Sequence, residues 1–347
     1  MPAQLPIRSV TYSGRAGALR DLIYVPGEEP VPAIDQSLLI EDARPALFLY
    51  RQRFRFPGET EESVREGVMG LLDPHEPALI FPHEETYPER VAACAEELKR
   101  TGLHRSSLFL WCDDAEGVIA SLLKTDSPAS IEATDRLGCL HRIWRIADPV
   151  LIDKLQAALH SKPLFLADGH HQLAANWKLA TIQVRTAALQ TLAVHRLLLE
   201  NDSLTLPETK PIDDVASYWA TTPPGLVRFG MVVPGTQLLG FELPCPDGEP
   251  NISILQSRIL HAVRTQPVRG IARAVEAVRT GQAHMAFLLE PLSVRAIEED
   301  ARRGILLPPK STDFYPKLAA GLVMQRHQNE NVTPATAQRP GVRNPSS

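Results

Sequence analysis

The chain has 347 residues, 44 % of them hydrophobic and 22 % charged, with a formal net charge of −5. That is globular composition, enough for one large domain or two ordinary ones, and its acidic balance argues against a general nucleic-acid binder, which carries a basic field. The four cysteines are scattered without a C-x-x-C pair, which argues against a disulfide framework or a Cys-rich zinc site and fits reduced thiols in the cytoplasm.

Residues 1–45 are punctuated by Pro and Gly, with 19–24 as a strand candidate. The apolar run 46–51 reads as a buried strand, and 63–72 mixes Val, Met and Leu with charges in a pattern that suits a strand or a short helix. A helix is predicted over 87–100, with Thr86 as N-cap, Glu89 three residues on as in a capping box, and Gly102 after the last turn. Strands follow at 107–111 and 140–146, and a helix at 149–159. Beyond Pro207 come strands at 226–233, 238–243 and 284–289, with helices at 252–263, 270–279 and 293–303, the last stopped by Gly304. This alternation predicts an α/β protein, with mixed α+β as the variant, built on a mixed sheet whose ligand edge lies at strand ends. The expected division is 1–149 and 150–327, with Pro149 or Pro207 as soft boundaries and a single domain as the alternative. Residues 328–347, rich in Asn, Pro, Thr and Ser, are expected to be a disordered tail. No apolar stretch is long enough to span a bilayer, and the N-terminus lacks a basic segment followed by an apolar one, so no membrane or secretory role is expected.

Three segments concentrate polar chemistry. In the first, an apolar run from Leu164 stops at Asp168-Gly169-His170-His171, and a helical sequence, 173–179, follows. Strand, tight turn and helix N-terminus in that order leave unpartnered N–H groups at a positive dipole end, and glycine lets a ligand approach closely, so the place suits a phosphate or a carboxylate. Asp168 can hold a cation or a proton there, and the imidazoles can donate, accept or ligate. The plainer alternative is an Asp-Gly turn with two surface histidines. The second segment is His83-Glu84-Glu85-Thr86, ahead of a helix. Its carboxylates either complement the dipole or serve as general base or magnesium ligand, with His83 beside them. The third is Lys310-Ser311-Thr312 after two prolines. The hydroxyls would donate to phosphate oxygens and Lys310 would supply a mobile charge, although the glycine spacing of a Walker A loop is missing. Phe314-Tyr315-Pro316-Lys317 would add an aromatic platform and a second cation; the alternative is a rigid loop with its aromatics in the core. His141 and His195 read as core histidines or catalytic ones, and Arg51 as an anion anchor or a strand-end charge. A zinc site from His83, His170 and His171 would need a further ligand, because adjacent histidines rarely point the same way.

Asp168–His171 and the segment from Leu307 to Leu318 together resemble the signature of the DUF1015 family of uncharacterised soluble proteins. Tyr50-Arg51-Gln52, His83 to Thr86, His141 with Trp144, His195-Arg196 and Gly321-Leu322-Val323 match in order, so the resemblance runs from about residue 45 to about 325. Two departures stand out. Gln172 replaces the arginine usual after the two histidines, and no Pro-Pro-Tyr-Asp element precedes Tyr50. The Asp-Gly-His-His element is also similar, more distantly, to the phosphate-binding motif of ParB and sulfiredoxin-like proteins, which include free-serine kinases.

These resemblances imply a nucleotide-dependent phosphotransferase acting on a small serine-like hydroxyl metabolite, with ATP or another nucleotide and Mg2+ as cofactors. Asp168 would hold the metal. Gly169, His170, His171, Ser311 and Thr312 would grip phosphates, Lys310 and Lys317 would neutralise charge, and Glu84 or Glu85, with His83 nearby, would take the hydroxyl proton. Arg51, His141, His195, Arg196 and Tyr315 rank second. The same parts with water as acceptor would make a phosphoester hydrolase, and without turnover a nucleotide- or phosphometabolite-binding regulator. In each case the partner is a phosphorylated small molecule, not nucleic acid or membrane. Glu84, Asp168, His170, His171 and Lys310 are expected to converge on one cleft.

Overall fold

The apolar run at 46–51 folds as strand Leu47–Phe54, paired antiparallel with Ser63–Leu72 so that Phe48 lies opposite Met69. Pairing settles the strand-or-helix ambiguity at 63–72. On its other side Ser63–Leu72 meets Leu179–Val184, and Gly67 permits that close approach, because a Cβ at its position would lie 2.5 Å from the carbonyl oxygen of Ile182. The computed structural model describes residues 4–13, 19–72, 80–160, 162–200, 204–235, 237–245, 248–261 and 263–327. The tail expected at 328–347 lies outside the described residues.

Among the described residues nine strands form the first sheet, in the order Ile80–Phe81, Leu164–Asp168, Leu108–Cys112, Leu179–Val184, Ser63–Leu72, Leu47–Phe54, Leu140–Ile146 and Ile131–Thr134, with Gln4–Leu5 also pairing Ser63–Leu72. Two of its pairings are parallel and the rest antiparallel, so the sheet is mixed. Side chains alternate between its faces. Leu47, Leu49, Leu108, Leu110, Leu164 and Leu166 pack with Leu98 of helix Pro88–Thr101 and with Leu155 and Leu159 of helix Pro149–Leu159. Phe48, Tyr50, Phe109, Trp111 and Phe165 pack on the opposite face against Phe314, Leu318 and helix Val294–Arg302.

A second, six-stranded antiparallel sheet runs Lys210–Pro211, Gln237–Pro244, Leu226–Val233, Met285–Leu288, Val194–Leu198 and Thr265–Arg269. Helix Asn251–Arg258 covers one face and helix Ile271–Arg279 the other. The molecule is therefore a mixed α+β protein with several sheets. A division at 149 does not follow the strands, since the first sheet takes residues from both sides of it, and Pro207 likewise falls in sequence between two strands of the second sheet, Val194–Leu198 and Lys210–Pro211. After strand Met285–Leu288 the chain returns to the first sheet, where helix Val294–Arg302, Phe314 and Leu318 pack.

Three local expectations are corrected. Residues Leu19–Asp21 form a 3-10 turn instead of a strand. Tyr87, not Thr86, is the N-cap of helix Pro88–Thr101 and makes no side-chain cap, while Gly102 ends the helix in the left-handed conformation, as expected. The helix expected at 173–179 is only the five-residue turn His170–Ala174, and Leu179 already begins a strand. No helix among the described residues is long and apolar enough to cross a membrane.

Candidate functional site

The Lys310-Ser311-Thr312 corner has the shape the sequence suggests, but its donors already hold an anion of the protein. Lys310 takes a left-handed backbone, φ 62°, uncommon for a side-chain-bearing residue. Successive N–H groups around such a residue point into one concavity, a natural anion seat. Here the Glu84 carboxylate fills it. Oε2 accepts from the Lys310 N–H at 2.9 Å, and Oε1 accepts from the N–H groups of Ser311 at 3.0 Å and Thr312 at 2.8 Å and from Thr312 Oγ1 at 2.6 Å. The Ser311 hydroxyl donates to the Pro308 carbonyl. Because Thr312 gives its hydroxyl proton to Glu84, its oxygen receives the Nε2–H of His83, 2.8 Å away. Glu84, only 7 % exposed, thus ties this loop to the 83–87 segment. The general-base role expected for Glu84 and the phosphate-gripping role of Ser311 and Thr312 are corrected accordingly, since these donors and acceptors are occupied.

The two consecutive histidines clamp the same segment from the other side. Gly169, at φ 102°, turns the chain after strand Leu164–Asp168, and a Cβ there would stand 2.8 Å from Leu108 Cδ2. His170 Nε2 accepts the backbone N–H of His83 at 3.3 Å, and His171 Nε2 accepts that of Tyr87 at 3.1 Å. An imidazole nitrogen that accepts carries no proton. Burial, then the neighbouring His83, drives His170 well below the ordinary histidine value, and burial lowers His83 as well. Burial, followed by Lys310 and Arg90, lowers the half-exposed His171. Both rings are neutral hydrogen-bond acceptors toward the backbone, so neither Nε2 is free to grip a phosphate.

Between these two clamps lies a cleft of about 660 Å³, and Glu84, Asp168, Gly169, His170, His171, Lys310, Thr312 and Lys317 all line it. Asp168 faces Lys317 Nζ at 3.5 Å. Burial pushes the Asp168 carboxyl up, but Lys317 and then Lys310 outweigh it and hold the group below the usual carboxylate value. The reverse attraction raises Lys317. Arg90, Arg269 and Arg273, which no motif marks in the sequence, also line the cleft. Arg269 bridges Glu28, at 2.7 Å, and Asp313. Arg90 and Arg273, like the ammonium of Lys310, make no ion pair with the described residues. Both arginines stand on exposed helix faces, where a sequence shows only an ordinary solvated cation. With Lys317 the described residues of the cleft include five cations against Glu28, Glu84, Asp168 and Asp313, a local reversal of the chain's −5 balance.

Other candidates lie elsewhere. Glu85 is exposed and faces a neighbouring cavity. Arg51 pairs with Glu66 beside Trp144 on the first sheet. His141 is fully buried between Tyr50 Oη, at 2.7 Å, and Asp135 Oδ2, at 3.1 Å. His195 is likewise buried and accepts from the Leu289 N–H. These two are the core histidines of the plainer reading. Tyr315 packs with Phe54 and Phe56, and the buried Arg65 donates to Gln52 Oε1 and to the carbonyls of Tyr315 and Pro316, which braces the approach to Lys317. Arg196 is buried and donates to the Pro309 carbonyl.

A resident metal does not fit this donor set. Asp168 faces an ammonium, the other acids of the cleft are engaged, and no group of three or more His, Cys, Asp or Glu among the described residues could hold an ion. The zinc arrangement of His83, His170 and His171 is excluded by the same geometry, since both His170 and His171 turn Nε2 to backbone amides.

Among solved structures the chain is similar to a free serine kinase in complex with AMP, at 13 % identity over 67 % of this chain and 83 % of that one, with a TM-score of 0.38. A conserved hypothetical protein from Pyrococcus furiosus is similar at 13 % identity over 69 % and 90 %, also with a TM-score of 0.38. These likenesses are too distant to transfer chemistry. No curated protein matches the sequence significantly. The sequence model of DUF1015, described as a protein of unknown function, matches residues 32–242, which is more than half of the chain and includes the His83–Thr86 and Asp168–His171 elements. The chain therefore belongs to the DUF1015 family.

Proposed function

We propose that the cleft binds the phosphate groups of a nucleotide, and that the protein transfers a phosphoryl group to the hydroxyl of a small serine-like metabolite. The observation that carries this reading is the set of three cations, Arg90, Arg273 and Lys310, that line one cleft without an ion-pair partner among the described residues. Each acid there is already matched: Glu28 and Asp313 by Arg269, Glu84 by the loop amides, Asp168 by Lys317. The surplus is positive, and a polyphosphate supplies the missing charge. Phosphoryl transfer asks mainly for positioning and charge neutralisation, which such a set provides. Asp168, ionised and about one-third exposed at 36 %, accepts the proton of the substrate hydroxyl in place of Glu84. Magnesium enters only with the nucleotide.

Lys310→Ala keeps the backbone N–H that Glu84 needs and removes the ammonium. It is expected to weaken ATP binding by about 1.5–3 kcal/mol, roughly 10- to 150-fold, and to leave adenosine binding unchanged. Calorimetry on both ligands tests this, and equal affinity for ATP and adenosine in the unmodified protein rules the phosphate site out. Gln172 also lines the cleft, its amide donating to Ser106 Oγ at 2.6 Å. Gln172→Arg places a guanidinium there and is expected to strengthen ATP binding by about 1 kcal/mol. Loss of stability with no gain in affinity would show that Gln172 serves only the Ser106 contact.

One observation favours a non-catalytic nucleotide sensor. Glu84, His170 and His171, the residues best suited to acid-base work, are engaged by backbone amides. ATP consumption in the presence of hydroxy amino acids separates the readings, and binding without turnover selects the sensor.

A further inference from the structure

The loop that Glu84 holds from one side separates the first cleft from a second cavity of about 740 Å³, and Arg90, Gln266, Pro267 and Lys310 line both. On the wall of the second cavity stands Arg196, from strand Val194–Leu198, only 4 % exposed. Its guanidinium has five N–H donors. One nitrogen, Nη2, donates to the Pro309 carbonyl at 3.2 Å, while the fully buried Nε has no hydrogen-bond partner among the described residues. No carboxylate of the described residues forms an ion pair with it. A buried charge without a close ion-pair partner is costly, and an anion entering the cavity would offset that cost.

We propose that this second cavity is an oxyanion subsite, in which Arg196 receives the carboxylate or phosphate of a second small-molecule ligand. Arg90, Arg264 and Lys310 also line this cavity and add to its positive charge. The acids Glu85, Glu89 and Glu200 line the same cavity and favour a ligand whose far end is neutral or cationic. Because the two cavities meet at Lys310, ligands in both would present their facing ends to that ammonium. Burial lowers Arg196, and the charges of Glu84 and Tyr87 oppose that only in part. The proposal goes beyond the phosphate reading of the first cleft and does not depend on it.

The test follows the arginine side-chain N–H signals of the full chain by NMR during separate titrations with inorganic phosphate and with acetate. The Arg196 signal is expected to shift saturably with at least one anion, and the one that moves it identifies the group the subsite takes. Leu199 lines the second cavity and is 43 % exposed, so Leu199→Glu adds a negative charge there with little demand on the fold. It is expected to weaken the Arg196 response at least tenfold and to leave the response of Arg273, in the first cleft, unchanged. Arg196→Gln, if folded, removes that signal, and the response of Arg264 on the same cavity wall to the anion should then fall at least tenfold. An Arg196 signal that moves with neither anion, or that moves equally in Leu199→Glu, overturns the proposal. A silent Arg273 beside a responsive Arg196 would instead count against the first-cleft reading alone.

Discussion

Glu84→Ala is expected to lower the unfolding free energy by about 3–5 kcal/mol, the range for leaving one half of a buried charged network without its partner. The carboxylate accepts four hydrogen bonds from three consecutive residues 226 to 228 positions further along the chain. Without it, three N–H groups point into an empty concavity and Lys310 holds a left-handed backbone that nothing rewards. Glu84→Gln tests the charge separately. The amide keeps one acceptor but sets an N–H group against backbone N–H groups, so a loss of about 1.5–3 kcal/mol is expected. Urea unfolding followed by tryptophan fluorescence measures both variants. If Glu84→Ala unfolds at the same urea concentration as the unmodified chain, the loop is held by something else. In either variant the position of Lys310 loosens, so anion affinity should fall together with stability.

Acidification from pH 7 to pH 5 should destabilise the protein by about 2 kcal/mol for each of His104 and His195. Both are buried, at 2 % and 0 % exposure. Burial pulls His104 down to about 3, helped by His327 and Lys178, and pulls His195 down to about 4. In the unfolded chain each titrates near 6.5. Below that pH the unfolded state binds a proton that the folded state refuses. The contribution is therefore complete above about pH 6.5 and is lost as pH falls toward the folded values, at up to about 1.4 kcal/mol per pH unit for each group. His83 and His170 are displaced in the same direction and steepen the slope. Unfolding free energies at pH 7, 6 and 5, with proton uptake measured in weak buffer, check the expectation. A flat profile over that range would mean that these rings are protonated inside the folded protein.

Much of the secondary structure was legible because it is decided locally. The alternation of large apolar residues at 46–51 and 107–111 requires two-faced strands, and both faces are indeed covered. Gly102 and Gly304 end helices because they take positive φ readily, and the side-chain oxygens of Asp148 and Ser293 cap helices Pro149–Leu159 and Val294–Arg302. Residues 173–179 misled for an equally physical reason. Leu-Ala-Ala-Asn-Trp-Lys-Leu has helical composition, but Asn176 adopts φ 62° and Leu179 joins a neighbouring strand, so long-range pairing overrides local preference.

At the site, the sequence by itself determined which segments carry polar chemistry: an acid, glycine and two histidines after a buried strand, and a lysine with two hydroxyls after two prolines. The hydroxyls and the lysine marked the second segment as suited to an anion, but the left-handed backbone at Lys310 that forms the seat was not legible there. Only the tertiary structure decided what those groups are used for. The seat at Lys310 is filled by Glu84, the histidines accept amide hydrogens from the segment before helix Pro88–Thr101, and Arg90 and Arg273 remain as cations without ion-pair partners among the described residues. The reason is that a hydrogen bond is satisfied by whichever partner the packed chain brings within about 3 Å, and that partner stands 84 to 228 residues away in sequence.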